Sequence, residues 1–281
     1  MAKIKREENR VFALMKFGSK KNLERLLYNG ELYTRPIQQF RNIDDTAESL
    51  RRDKYEGATK VYNSGVTVNI TNTETNETLV IDEESGLLEI TEHRERKANI
   101  YCMTAMTSKL GFDFFNYQDY LKLDLLRQFG PYSVIIRDVQ SFIERIESAI
   151  KKDDNLKGFQ RGLVDYVDVK AVNGEYFAFN KPIEYSYQWE YRFLIKPQIY
   201  TDNPIHLKIG NISDIAMLIP TIELMDLIEL KESRNNRYGF TPFLPKNVQL
   251  PKEAHKNVPY SKKPTYKRGY SLILDKEQLR K

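Results

Sequence analysis

The stretch YSYQWEYRFLIK, residues 185–196, holds the chain's single tryptophan, Trp189, followed by Glu190, Tyr191, Arg192 and the apolar run Phe193-Leu194-Ile195. Aromatic and β-branched residues with near-alternating polarity read as a strand. On a strand, Glu190 and Arg192 share one face, while Trp189, Tyr191 and Phe193 share the other. A carboxylate and a guanidinium two residues apart, within a segment otherwise fit for a core, have two readings. One is a satisfied ion pair at a strand end. The other is a catalytic or ligand-binding carboxylate held by a neighbouring cation.

Working outward, 281 residues with 41% hydrophobic and 12% aromatic content make a folded chain with a sizeable core, not a disordered one. Tyrosine is abundant, at 18, against the lone tryptophan, which fits a polar cleft or a surface that meets a polar partner. No apolar run approaches the roughly 20 residues that span a bilayer, and the opening MAKIKREENR has no apolar signal-peptide core. A single cysteine, Cys102, excludes an internal disulfide and a Cys-based metal cluster. The expected setting is cytoplasmic, with no membrane partner and no metal.

Before this stretch, VFALMKF (residues 11–17) reads as a strand. Ser19 is placed to cap a helix bearing Leu23, Leu26 and Leu27, which Asn29-Gly30 ends, and a short strand follows up to Pro36. Residues 40–57, FRNIDDTAESLRRDKYEG, read either as an exposed loop laced with ion pairs or as a loop over a cleft whose arginines receive a phosphate. Residues 59–91 are β-rich around a TNTETNET hairpin tip, and NIYCMTAM (residues 99–106) is a buried strand containing Cys102, a core residue in this reading. An aromatic helical stripe covers residues 112–130. A strand at 132–137 leads to a helix capped by Asp138, with Phe142, Ile143, Ile146 and Ile150 inward.

Residues 163–169 and 175–179 are expected to form a hairpin about Asn173-Gly174. Strands at 204–209 and 215–219 follow, with a short helix at 223–230. Together these predict an α+β fold with a strand-rich mixed sheet core and short helices. The main domain spans residues 1–232, and residues 233–281 form a Pro/Lys-rich extension with a last strand at YSLILD.

The net charge of +5 is uneven, and Lys262, Lys263, Lys267 and Arg268 in the extension form a candidate nucleic-acid contact, set against a solvated tail. There is no GxxxxGK[ST] phosphate loop, no GxGxxG after a strand, no HExxH and no GxSxG. The histidines, His93, His206 and His255, are far apart, and His206 reads as structural. Any catalysis therefore falls to carboxylates, arginines, tyrosines and hydroxyls.

The opening MKFGSKKNLERLLYNGELY resembles the strand–helix–Gly–strand opening of ADP-ribosyltransferase-like domains, with DarT-type toxins the nearest analogy. QWEYRFLI resembles the late strand that carries their essential glutamate. The combination of LxxGxLY, YCMT and WEYRF also resembles an uncharacterised bacterial family of phage-defence islands.

The resemblance implies an ADP-ribosyltransferase-like fold and NAD as substrate. Glu190 would be catalytic with Arg192 beside it, Arg51 or Arg52 would hold the pyrophosphate, Lys16 would assist, and Tyr33 or Tyr101 would stack on nicotinamide. Lys16 stands where those enzymes usually carry His or Arg, and Gly18 where they carry a hydroxyl residue. The expectation is a toxin or phage-defence effector acting on a nucleic-acid or protein acceptor, nucleic acid favoured, with an antitoxin or phage protein as further partner. The alternative is a non-catalytic sensor that binds a nucleotide or phage protein in the same cleft. A nuclease drawing on Asp44, Asp45, Asp53 and Glu56 is a third reading.

Overall fold

The computed structural model describes residues 11–41, 53–63, 66–83, 88–92, 96–107, 123–224 and 270–273. Nine of its strands form one sheet. In chain order they are β1 (Val11–Gly18), β2 (Glu31–Pro36), β3 (Asn99–Thr107), β4 (Tyr132–Ile136), β5 (Leu156–Leu163), β6 (Glu190–Pro197), β7 (Ile205–Lys208), β8 (Ala216–Pro220) and β9 (Tyr270–Ile273). The spatial order is β8-β4-β1-β3-β6-β5-β9, with β2 joined to β3 and β7. Every pairing in this sheet is antiparallel, which corrects the expected mixed sheet. The parallel pair among the described residues, Asp165–Val167 with Asn180–Pro182, lies outside it. Among the described residues four short helices, α1 (Lys20–Asn29), α2 (Ile37–Arg41), α3 (Leu123–Leu126) and α4 (Val139–Lys152), accompany the sheet in a mixed α+β fold. No helix among the described residues is long and apolar enough to cross a membrane.

Local chemistry sets the opening unit. The Ser19 hydroxyl accepts from the backbone of Asn22 at 3.4 Å, and α1 buries Leu23, Leu26 and Leu27 along one stripe. Gly30 ends the helix at φ 61, the left-handed C-cap conformation that glycine takes without a Cβ clash. Its missing Cβ also makes room for Gly210, whose carbonyl oxygen would lie 1.9 Å from one. Asp138 caps α4 through the backbone of Ser141 at 3.0 Å, and Phe142, Ile143, Ile146 and Ile150 point inward as the 3.6-residue period requires.

Both helices cover one face of the sheet. Their buried residues pack with Leu14, Tyr101, Ala105, Tyr191, Phe193 and Ile195 in the largest core cluster. The opposite face carries two smaller apolar clusters. One joins Met15, Phe17, Met106 and Ile135; the other joins Ile37, Ile100 and Leu194. Between them runs a polar strip that includes Thr104, Glu190 and Arg192.

Several expectations are corrected here. Residues Ile183–Gln188 form a 3₁₀ helix, and Trp189 turns the chain at φ 44, ψ 48, so the strand starts at Glu190 and Trp189 does not share the Tyr191 face. The turn is held by its neighbours: the Trp189 carbonyl accepts from Ala105 at 2.7 Å, and the Glu190 amide donates to the Tyr166 hydroxyl at 2.9 Å. The hairpin about Asn173-Gly174 is absent from the described residues. Gly174–Glu175 pairs instead with Lys60–Tyr62, and β5 pairs with β6. The YSLILD strand is present as β9, on the far edge of β5. The aromatic stripe at 112–122 lies outside the described residues, as does most of the expected helix at 223–230.

Candidate functional site

The sheet splits beside β3. β1 pairs with β3 from Val11 to Met15, opposite Thr107 to Thr104, and then leaves it to continue along β4. β2 meets the same edge of β3 only at Ile100 and Asn99. Tyr101, Cys102 and Met103 thus have no strand partner on that side among the described residues, and Lys16 stands at the fork. Its ammonium donates to the Cys102 carbonyl at 2.7 Å and lies 4.3 Å from the centre of the Tyr101 ring. That contact satisfies a backbone acceptor which the split would otherwise orphan.

A cavity of about 600 Å³ opens at the fork, lined by Lys16, Tyr33, Arg35, Tyr101, Cys102, Thr104, Lys181, Gln188, Glu190, Arg192 and His206 among others. The strand register explains the grouping. Glu190 is opposite Thr104, Arg192 opposite Cys102, and Arg35 opposite Ile100, so their side chains leave the sheet on one face. Tyr33 and His206, directly opposite on β2 and β7, meet edge to face with centroids 4.9 Å apart at the exposed end. His206, read from sequence as structural, is exposed to solvent and lines the cavity.

Glu190 is 4% exposed and lies in a chain of buried charges. One of its oxygens accepts from Arg192 Nε; the other accepts from Lys181 Nζ at 2.9 Å. Lys181 also donates to Gln188 Oε1 at 2.8 Å. Arg192, 1% exposed, turns its two terminal nitrogens to Glu56, each 2.7 Å from a carboxylate oxygen, and donates to the Ala178 carbonyl as well. Glu56 is brought in by a small satellite core of Tyr55, Ala58, Val61, Val169 and Tyr176. Residues 53–58 are largely buried, which corrects the exposed-loop reading for that part of the segment.

Burial alone would raise the Glu190 carboxyl. The Arg192 and Lys181 charges outweigh it and hold Glu190 well below the usual carboxylate range, so it is ionised. Glu56 goes the other way. Burial pushes it up to about 7, and the Arg192 charge, shared with Glu190, does not restore it, while Asp53 raises it further. Asp53 is raised too, by burial first, and its Oδ2 is buried without a hydrogen-bond partner among the described residues. Burial raises the Cys102 thiol; the side chain is half-buried, packing against the Ile37–Ile100–Leu194 cluster and also lining the cavity, so its reading as a core residue holds only in part.

Of the residues proposed from sequence, Glu190, Arg192, Lys16, Tyr33 and Tyr101 all line the one cavity. Tyr101 does so from the core side, 5% exposed, and Tyr33 from the solvent side. Arg51, Arg52, Lys262, Lys263, Lys267 and Arg268 lie outside the described residues, as do His93, His255, Asp44 and Asp45. Sequence reading missed the roles of Lys181 and Gln188. A lone lysine between Asn180 and Pro182 carries no local signal of its partner. Glu56 was visible only as one acid among several. No group of three or more His, Cys, Asp or Glu residues among the described residues could hold a metal ion. Comparison with known proteins finds no matching family model, no matching curated protein and no matching solved structure.

Proposed function

We propose that the cavity at the split of the sheet binds NAD and that the protein transfers ADP-ribose from it to a macromolecule, with nucleic acid the favoured acceptor. The observation that carries this reading is that an ionised Glu190 and Lys16 both line one cavity of about 600 Å³, a size within the roughly 300–1,000 Å³ usual for ligand pockets. Breaking the nicotinamide–ribose bond passes through an oxocarbenium-like state, as glycoside cleavage does. A carboxylate held ionised cannot serve as proton donor, but it stabilises developing positive charge on the ribose and accepts from its hydroxyl. Lys16 and Arg35 are the cations placed for the pyrophosphate, Arg192 fixes the glutamate, and Tyr33 stands where a ring could stack. The strand–helix–Gly–strand opening and the late glutamate strand meet at this cleft, which supports an ADP-ribosyltransferase-like fold. The biological role in this reading is a toxin or phage-defence effector, with an antitoxin or a phage protein as partner.

A second reading, a non-catalytic sensor that binds a nucleotide or a phage protein in the same cleft, is favoured by one observation: both oxygens of Glu190 are taken by buried cations. Incubation with NAD labelled in its adenylate half, with and without single-stranded oligonucleotide, separates the two. Release of nicotinamide with label on the acceptor supports transfer. Bound NAD without release supports the sensor. Neither binding nor release rejects both.

A further inference from the structure

The transfer reading leaves a conflict at Glu190, whose charge is offset by two cations in a site that needs it for a ribose. The two cations are not alike. Arg192 is anchored on three sides, by Glu190, by both oxygens of Glu56 and by the Ala178 carbonyl. Lys181 makes two hydrogen bonds, to Glu190 and Gln188, and its ammonium lies 5.0 Å from the centre of the Tyr185 ring. An ammonium carries three donors, so one has no hydrogen-bond acceptor among the described residues. Lys181 is 4% exposed, yet it lines the cavity. Besides Glu190, the Glu56 and Asp53 carboxyls act on this ammonium; a buried cation with a spare donor on a cavity wall still offers an incoming anion a charge-assisted contact, because the low local dielectric strengthens the attraction and the flexible stem lets the ammonium swing.

We infer that Lys181 is an exchangeable cation. In the free protein it neutralises Glu190, and when a diphosphate-bearing ligand enters the cavity the ammonium moves to the phosphate oxygens. That movement opens Glu190 Oε2 to the ribose hydroxyl while Arg192 keeps the carboxylate in place. Glu190 is thereby masked until a diphosphate-bearing ligand arrives, and its freed oxygen then serves a ribose only where that ligand carries one. A lone cation or a neutral sugar would not displace the ammonium, so the contact also selects the ligand class, a nucleoside diphosphate. For the ribose the inference rests on the transfer reading above; for the anion it stands alone.

The test is calorimetric titration of the whole chain with ADP-ribose, inorganic pyrophosphate and adenosine. Lys181→Met is compared with wild type and with Lys181→Arg, after melting curves confirm folding. Lys181→Met is expected to weaken ADP-ribose and pyrophosphate at least about tenfold, the loss of one charge-assisted contact, and to leave adenosine unchanged. Lys181→Arg retains most of the pyrophosphate affinity. Pyrophosphate binding that depends on Lys181 in a protein that binds neither NAD nor ADP-ribose would sustain the anion site and discard the transfer reading. Unaltered ADP-ribose affinity in Lys181→Met, an equal loss for adenosine, or no binding of pyrophosphate and ADP-ribose by wild type would each overturn the inference. Should Lys181→Met fail to fold, Lys181→Arg and wild type decide it: absence of pyrophosphate binding in both overturns it.

Discussion

Arg192 grips Glu56 through two parallel N–H···O bonds of 2.7 Å across 136 residues of chain. The same guanidinium holds Glu190, two positions away on β6. One fully buried cation thus joins the central sheet to the satellite unit that carries residues 53–58, and it fixes the carboxylate on which the proposed chemistry depends.

Removing that cation leaves two carboxylates in the interior with only Lys181 between them. Arg192→Leu is expected to cost about 3–5 kcal/mol, the usual penalty for breaking a buried pair from one side. Arg192→Lys should recover only part of the loss, because a point charge cannot match the fork on Glu56. Urea denaturation of the three proteins checks both; equal stability of all three would contradict the buried network.

The pH dependence of stability carries a sign. Glu56 has its pKa raised in the fold from an ordinary 4.5 to about 7. Between those values the folded state binds more protons than the unfolded one, so this group's contribution is greatest below about pH 4.5 and declines as pH rises to 7. Asp53, also raised, acts in the same direction. Glu190 is lowered, and its contribution is present above about pH 4.5 and lost only as pH falls below it. Glu56→Gln should therefore gain on wild type across pH 4.5–7 by up to about 3 kcal/mol, from the 1.36 kcal/mol that one pKa unit represents. Stability curves of the two proteins running parallel over that window would refute the assignment.

Lys16 closes the fork in the sheet through the Cys102 carbonyl. Lys16→Met keeps the apolar stem but removes the charged donor, and a loss of about 1.5–3 kcal/mol follows from the usual worth of a hydrogen bond to a charged group. Hydrogen exchange should also quicken at the amides of residues 101–103. A melting temperature equal to that of wild type would show that the fork needs no such tie.

Gly30→Ala tests the joint between α1 and the turn at Gly210. The added methyl meets the Gly210 backbone at 1.9 Å in a left-handed conformation, so the cost should exceed the roughly 1 kcal/mol of the conformation alone. Thermal unfolding reads it directly.

Much of the opening fold was legible because its signals are local. Ser19, the Leu23-Leu26-Leu27 stripe and Gly30 each act within one helical turn, and the aromatic and apolar runs of β1, β3 and β6 are visible without knowledge of their partners. The misses arose where distant contacts override local preference. Trp189 adopts a left-handed turn that no β-propensity indicates, because the backbones of Ala105 and Glu190 find partners there. β5, LKGFQRGL, carries two glycines and little apolar pattern, and it is a strand because β6 and β9 pair with it on its two edges. At the site, the Glu190–Arg192 pair was readable from a two-residue spacing. Lys181 and Glu56, nine and 134 residues from Glu190, became neighbours only through the fold. The ion pair is satisfied and buried, as the first reading has it, and it also forms part of a cavity wall; the catalytic reading rests on the proposal above.

The most direct measurement is nicotinamide release from NAD by wild type and by Glu190→Gln, with matched circular dichroism and melting curves for the two. Glu190→Gln keeps the size of the side chain and removes its charge, so a folded variant with release reduced at least about a hundredfold is the expected result, since the lost stabilisation would act on a developing cation in a largely buried site. Release at the wild-type rate by the folded variant, or no release by wild type with any acceptor, would contradict the role given to this carboxylate.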